Sequence, residues 1–124
     1  MEKTLLFVED DEATSYIYQY VLRKIEFKGD YKIINNGEDA ISALLNSEFA
    51  PDIIFLDINM PRINGFEFLD ALKEKYPLKE KNSLVFMLTN SLNPDDEKRA
   101  MEYPEVKGFL SKPLTKETLL EIIN

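Results

Sequence analysis

The chain has no cysteine and no histidine among its 124 residues. Without cysteine there is no disulfide, no thiol nucleophile and no thiolate metal site. Without histidine, Ser-His-Asp catalysis, His-ligated zinc and a phosphohistidine on this chain are all excluded. Positive charge is scarce too. Fifteen Lys and Arg stand against 23 Asp and Glu, a net charge of −8. That argues against nucleic acid or an anionic membrane as a direct partner through a general basic surface. Long apolar runs are also missing. The N-terminal stretch MEKTLLFVEDD meets an acid cluster too soon to be a signal peptide or a membrane span, so a cytoplasmic, soluble protein is expected. What remains is 44% hydrophobic and 31% charged, the make-up of an ordinary globule. The length suits one domain, 1–124, that buries roughly two thirds of its unfolded surface.

Short apolar runs that do not alternate mark strands buried on both faces. They occur at Thr4–Val8, Ile53–Leu56 and Leu84–Leu88, with further strands expected at Tyr31–Asn35 and Val106–Ser111. Between them lie helical patterns. The first carries Ala13, Ile17, Tyr20, Val21 and Ile25 on one face and ends near Gly29. Asn36-Gly37 reads as a turn, followed by a helix with Ala40, Ile41, Leu44 and Leu45. Asn64-Gly65 closes the loop after the third strand, and Phe66, Leu69 and Leu72 continue as a helix. Asn93-Pro94-Asp95-Asp96 is a capped start with Pro at the first position, opening a short, weakly apolar helix that Pro104 limits. Thr115 caps a last helix bearing Leu119, Leu120, Ile122 and Ile123. Five strands alternating with five helices imply an α/β fold, a parallel sheet covered on both faces.

The residue just past each strand carries the functional signal. Glu9 and Asp10 follow the first strand, Asp57 the third, Thr89 the fourth and Lys112 the fifth. Taken singly, each has an ordinary explanation: an acid run is a solvated face, and a Lys-Pro is a loop. In a parallel sheet, however, these ends share one edge, where open α/β folds place their ligands. Three carboxylates together repel, and one would hold a proton unless cations compensate. Lys112 supplies one charge. Oxygen ligands with no His or Cys suit Mg²⁺, or Mn²⁺, as the second source. An ionised Asp beside such a cation and a lysine could attack a phosphoryl group and form an aspartyl phosphate.

These residues resemble a response-regulator receiver domain of two-component signalling. The segments LLFVEDD, IIFLDINMPRINGFEFL, VFMLTNS and GFLSKPL carry the likeness, in family order and spacing, across essentially the whole chain. The resemblance implies a flavodoxin-like doubly wound sheet of order 2-1-3-4-5. It makes Asp57 the phosphoacceptor and Glu9 and Asp10 the acidic pair, with Asp10 a direct metal ligand and Glu9 acting largely through water. The backbone carbonyl of Asn59 completes the Mg²⁺ site. Thr89 is the switch hydroxyl, Lys112 pairs with the phosphoryl group, the Lys112–Pro113 bond is cis, and Phe109 is the aromatic switch. Asn59 and Ser91 tune dephosphorylation. The implied donor is a histidine kinase or histidine phosphotransfer protein. The implied output is a protein target met by the face of the fourth helix, fifth strand and fifth helix; if the chain is complete, that contact is its sole output.

Some positions depart from common family choices: Asn64 for Asp, Asn90 for a small residue, and Tyr103 to Lys107 for a small-residue turn. Phe109 lacks the hydroxyl of Tyr. Two other readings fail on chemistry. An aspartate-nucleophile phosphatase needs a general acid where Asn59 stands, and a flavin or nucleotide site needs a phosphate loop where Glu9, Asp10 and Asp11 would repel one. A protein-interaction module that works without phosphorylation is the remaining alternative, and the intact acid set with Lys112 argues against it.

Overall fold

The computed structural model describes residues 2–46 and 49–124; Met1 and residues 47–48 of the expected span lie outside them. Among the described residues, strands and helices alternate strictly: β1 (Leu5–Val8), α1 (Glu12–Lys24), β2 (Tyr31–Ile34), α2 (Gly37–Asn46), β3 (Ile53–Asp57), α3 (Gly65–Leu72), β4 (Leu84–Thr89), α4 (Pro94–Ala100), β5 (Val106–Ser111) and α5 (Lys116–Ile123). The strands form one parallel sheet in the order β2-β1-β3-β4-β5. This is the flavodoxin-like order that the resemblance implies. The central strands β1 and β3 are buried throughout, as unbroken apolar runs demand.

Alternation along those strands splits the core in two. Leu6, Val8, Ile54 and Leu56 face α2, α3 and the Ala100 end of α4. Leu5, Phe7, Ile53 and Phe55 face α1 and α5. On this second face Phe7, Phe55 and Phe86 sit in register across β1, β3 and β4. Their rings stack with centroids 4.8 and 6.0 Å apart. Tyr18 of α1 extends the row, 4.9 Å from Phe7.

Four local expectations are corrected. The buried face of α1 is Tyr18, Val21 and Leu22, with Ile25 half-buried; Ala13 is exposed, and Ile17 and Tyr20 are 40% and 54% exposed. Val21 belongs to both apolar stripes, and the one turned inward is the one that stacks the Tyr18 ring on Phe7. The helix ends at Lys24, not near Gly29. Glu26 takes the left-handed conformation (φ 55°). Its N–H donates to the Arg23 carbonyl while the Phe27 N–H donates to that of Leu22, the paired bonds of a Schellman ending. Asn36-Gly37 opens α2 rather than making a free turn: the Asp39 N–H donates to Asn36 Oδ1 at 2.7 Å. Leu45 is exposed, not part of the α2 core face.

The weakly apolar α4 buries only its Ala100. Polar contacts attach its C-terminal end to α3. The Arg99 guanidinium lies 4.2 Å from the Phe66 ring centroid, and the Tyr103 hydroxyl donates to Asp70 Oδ1 at 2.8 Å. In β5 the register shifts. Val85 pairs with Val106, but Phe86 pairs with Gly108, leaving Lys107 as an extra residue. Such a bulge reverses which face the following side chains take. Phe109 therefore packs with Val106 on the α4 side, and Leu110 on the α5 side.

The loop after β3 is held tightly. Asn64 caps α3 reciprocally: its Oδ1 accepts from the Glu67 N–H and its N–H donates to Glu67 Oε1, both at 2.9 Å. The Gly65 N–H donates to the Ile58 carbonyl at 2.8 Å. Gly65 stands there for space. A Cβ at that position would lie 2.8 Å from the Asp57 carbonyl oxygen and 3.1 Å from Ile58 Cα. Gly65→Ala is expected to destabilise the fold by about 1–3 kcal/mol, the usual cost of forcing backbone apart in a packed region. Asn64→Ala is expected to cost about 1 kcal/mol through loss of the cap. Urea denaturation of both variants measures these losses.

Candidate functional site

Asp57 ends β3 and Glu9 follows β1, its neighbour in the sheet. The parallel register therefore brings both carboxylates to one edge. With Asp10 they offer oxygens that all lie within 4.8 Å of one another. Glu9 and Asp57 are buried, whereas Asp10 is exposed. Lys112 reaches them from the end of β5. Its Nζ lies 3.2 and 3.1 Å from Glu9 Oε1 and Oε2, and 3.2 Å from Asp57 Oδ2. The loop that carries it is tied to β4, since the Lys112 N–H donates to the Thr89 carbonyl at 2.8 Å. The Lys112–Pro113 bond is cis.

Glu9 is held on all sides. Its Oε2 also accepts from the Asp11 N–H at 3.2 Å, and its Oε1 accepts from the Tyr18 hydroxyl at 3.3 Å. Asp57 is held less completely. Oδ1 accepts a long bond from the Asn59 N–H at 3.3 Å. Oδ2 is buried and accepts no aligned hydrogen bond among the described residues, despite its ion-pair distance to Lys112. A buried carboxylate oxygen in this condition is costly. Burial, then the Glu9 charge and the contact with Asp10, push the Asp57 carboxyl up to about 7, while Lys112 pulls it down. For Lys112, burial works against the charge, but the bond to Glu9 and the charges of Asp57 and Glu9 outweigh it and hold the ammonium above its ordinary range. The donor set fits a hard divalent cation: three clustered carboxylates, one with an orphaned oxygen, and no soft ligand. Glu9, Asp10 and Asp57 could hold it.

Of the other expected residues, Thr89 and Asn59 are bonded directly to members of this group. Thr89 is buried at the end of β4. Its hydroxyl donates to the Ser91 carbonyl at 3.1 Å and accepts from the Ser91 N–H at 3.2 Å. Thr89 and Ser91 are therefore bonded to each other within one loop. Asn59 is exposed, its N–H turned to Asp57. Phe109 is half-buried and packs into the core on the α3–α4 side. Two neighbours were absent from the expected set. Asp11 caps α1 through the Thr14 N–H and hydroxyl; these bonds hold its carboxyl below the usual range. Tyr18 bonds Glu9 from beneath. The spacing of Tyr18, Val21, Leu22 and Ile25 carries the signal that would have found it.

Asp57 gives the metal-free fold a pH dependence of definite sign. Its ordinary value is 3.8 and its native value about 7. Below the ordinary value it is protonated in both states, and its contribution to stability is complete. As pH rises through about 7 the native carboxylate ionises at a cost, and that contribution is lost. In chelator, the melting temperature of the wild type relative to Asp57→Asn is expected to fall between about pH 4 and pH 7, as thermal denaturation across that range measures.

The family model of the response regulator receiver domain matches residues 5–124. A probable transcriptional regulator, ycf29, of the alga Pyropia yezoensis is 34% identical over 125 residues, covering 100% of this chain; the chain spans about half of that relative, 53%. The response regulator Rcp1 of Synechocystis is 30% identical over 126 residues, covering 98% of this chain and 84% of the relative. The crystal structure of its Mn(2+)-bound form superposes with a TM-score of 0.75 at 31% identity, over 98% of this chain and 88% of that one. A two-component response regulator from Cytophaga hutchinsonii superposes with a TM-score of 0.87 at 30% identity, over 98% of this chain and 93% of that one. With its fold, its acid cluster and these likenesses in agreement, the chain belongs to the response-regulator receiver domains of two-component signalling.

Proposed function

We propose that this chain is one receiver domain that accepts a phosphoryl group onto Asp57 from a phosphohistidine of a partner kinase or phosphotransfer protein. The observation that carries the reading is the Asp57 carboxylate, buried, short of hydrogen bonds, and flanked by Lys112 and two further acids. Glu9, Asp10, Asp57 and the Asn59 carbonyl would hold Mg²⁺, or Mn²⁺ as in the Rcp1 structure. A bound divalent cation neutralises the acids and stabilises charge on the transferring oxygens.

In the transfer, an Asp57 oxygen bonds to phosphorus as the phosphorus–nitrogen bond of the donor imidazole breaks. The imidazole departs as a neutral ring, keeping the proton on its other nitrogen. Lys112, already 3.2 Å from Asp57 Oδ2, pairs with the new phosphoryl oxygens. Thr89 exchanges its bond to Ser91 for one to the phosphoryl group, and Phe109 follows inward. The face of α4, β5 and α5 is thereby altered for a protein target, a population shift between two packings. Asn59, bonded to Asp57, and Ser91, bonded to Thr89, govern water attack on the acyl phosphate and so its lifetime. The setting is the cytoplasm, and among the described residues no helix is long and apolar enough to cross a membrane.

Incubation with Mg²⁺ and a small acyl phosphate is expected to add one phosphoryl group by mass. Asp57→Asn is expected to abolish it, and Lys112→Ala to slow it by about a hundredfold or more, the usual loss when a charge-stabilising donor is removed. Absence of Mg²⁺-dependent modification with either a small donor or a phosphohistidine protein would leave the phosphorylation-independent interaction module as the reading.

A further inference from the structure

Tyr18 is 1% exposed, one of the most deeply buried side chains of the described residues. It lies on α1, outside the strand ends that build the acid site. A buried phenol needs a partner for its hydroxyl, and this one donates to Glu9 Oε1 at 3.3 Å. The geometry follows from β1. Phe7 and Glu9 are two residues apart and so point to the same side of the strand. The Tyr18 ring stacks on Phe7 at 4.9 Å with an interplanar angle of 27°, and its hydroxyl continues to Glu9.

Glu9 needs such a support. It has one more methylene than aspartate and a carboxylate that must be aimed. Lys112 contacts both of its oxygens and the Asp11 N–H contacts Oε2. The ammonium itself hangs on a flexible stem, shared with Asp57. On Oε1 the hydroxyl anchored to the packed core is that of Tyr18. Partners of this kind, behind a carboxylate that serves a metal, commonly govern affinity.

We infer that Tyr18 is a positioning residue that fixes the Glu9 carboxylate for divalent-cation binding at the Glu9–Asp10–Asp57 cluster. The inference rests on the proposed metal role of that cluster. Tyr18→Phe keeps the ring, its stack on Phe7 and its place in the core, and removes one oxygen.

The test is calorimetric titration of Mg²⁺ into the whole chain, together with urea denaturation in chelator. Tyr18→Phe is expected to weaken Mg²⁺ binding by about tenfold. In a Glu9→Gln background the same substitution is expected to change Mg²⁺ affinity by less than about twofold, because two residues acting through one contact are not additive. A purely structural Tyr18 would lower the urea midpoint and leave affinity unmoved, and that result overturns the inference. So does a tenfold loss that persists unchanged in the Glu9→Gln background. A wild-type chain that binds neither Mg²⁺ nor Mn²⁺ overturns the functional reading itself, a result distinct from either of these.

Discussion

One ammonium group stands between two buried carboxylates. The side chains of Lys112, Glu9 and Asp57 are 5%, 1% and 3% exposed. Desolvating such charges is expensive, and mutual attraction offsets it only when each is well paired. Here the pairing is uneven. Glu9 receives bonds from a lysine, a backbone N–H and a phenol, while an Asp57 oxygen has none that is aligned among the described residues. The fold holds Asp57 in this condition by fixing the backbone on both sides of it: β3 buried before it, and the Asn64 cap and the close approach of Gly65 after it. The unbalanced charge is thus stored at the residue proposed as the phosphoacceptor.

Most of this was legible in the sequence because parallel sheets give strong local signals. Runs such as Ile53–Leu56 must be buried on both faces, and the residue that ends each run must lie on a common edge. The cap residues Asn93 and Thr115 could likewise be read directly, since each has a hydroxyl or amide that satisfies a helix N-terminus. The failures share one cause. At α1 two apolar stripes overlap at Val21, and only the tertiary stack of Tyr18 on Phe7 chooses between them. At Glu26 a charged residue takes the left-handed conformation that composition assigns to Gly29. Periodicity offers both stripes at α1 without ranking them, and it carries no information about Glu26.

The attachment of α4 belongs to the same class. Its apolar content is too small to pin it, since Ala100 is its one buried residue. Instead a guanidinium over Phe66 and a phenol bonded to Asp70 join its C-terminal end to α3. Both contacts are directional and partly wet, so they yield more readily than a packed core would. Tyr103, which looked like an intrusion into a small-residue turn, is what makes one of them.

The extra residue in β5 has a wider meaning. Lys107 has no partner on β4, and beyond it the strand is out of phase with its own first half. Val106 and Phe109, three apart, share a face that strict alternation would deny them. The sheet therefore works as two registers joined at one seam: four strands keep a single phase, and the fifth changes phase partway along. Lys112 arrives at the acid edge from the shifted half. A deletion of Lys107 would leave composition, length and strand propensity almost untouched, yet it would erase the seam: Val106 and Gly108 would pair in succession with Val85 and Phe86, and Phe109 and Leu110 would keep their opposite cores.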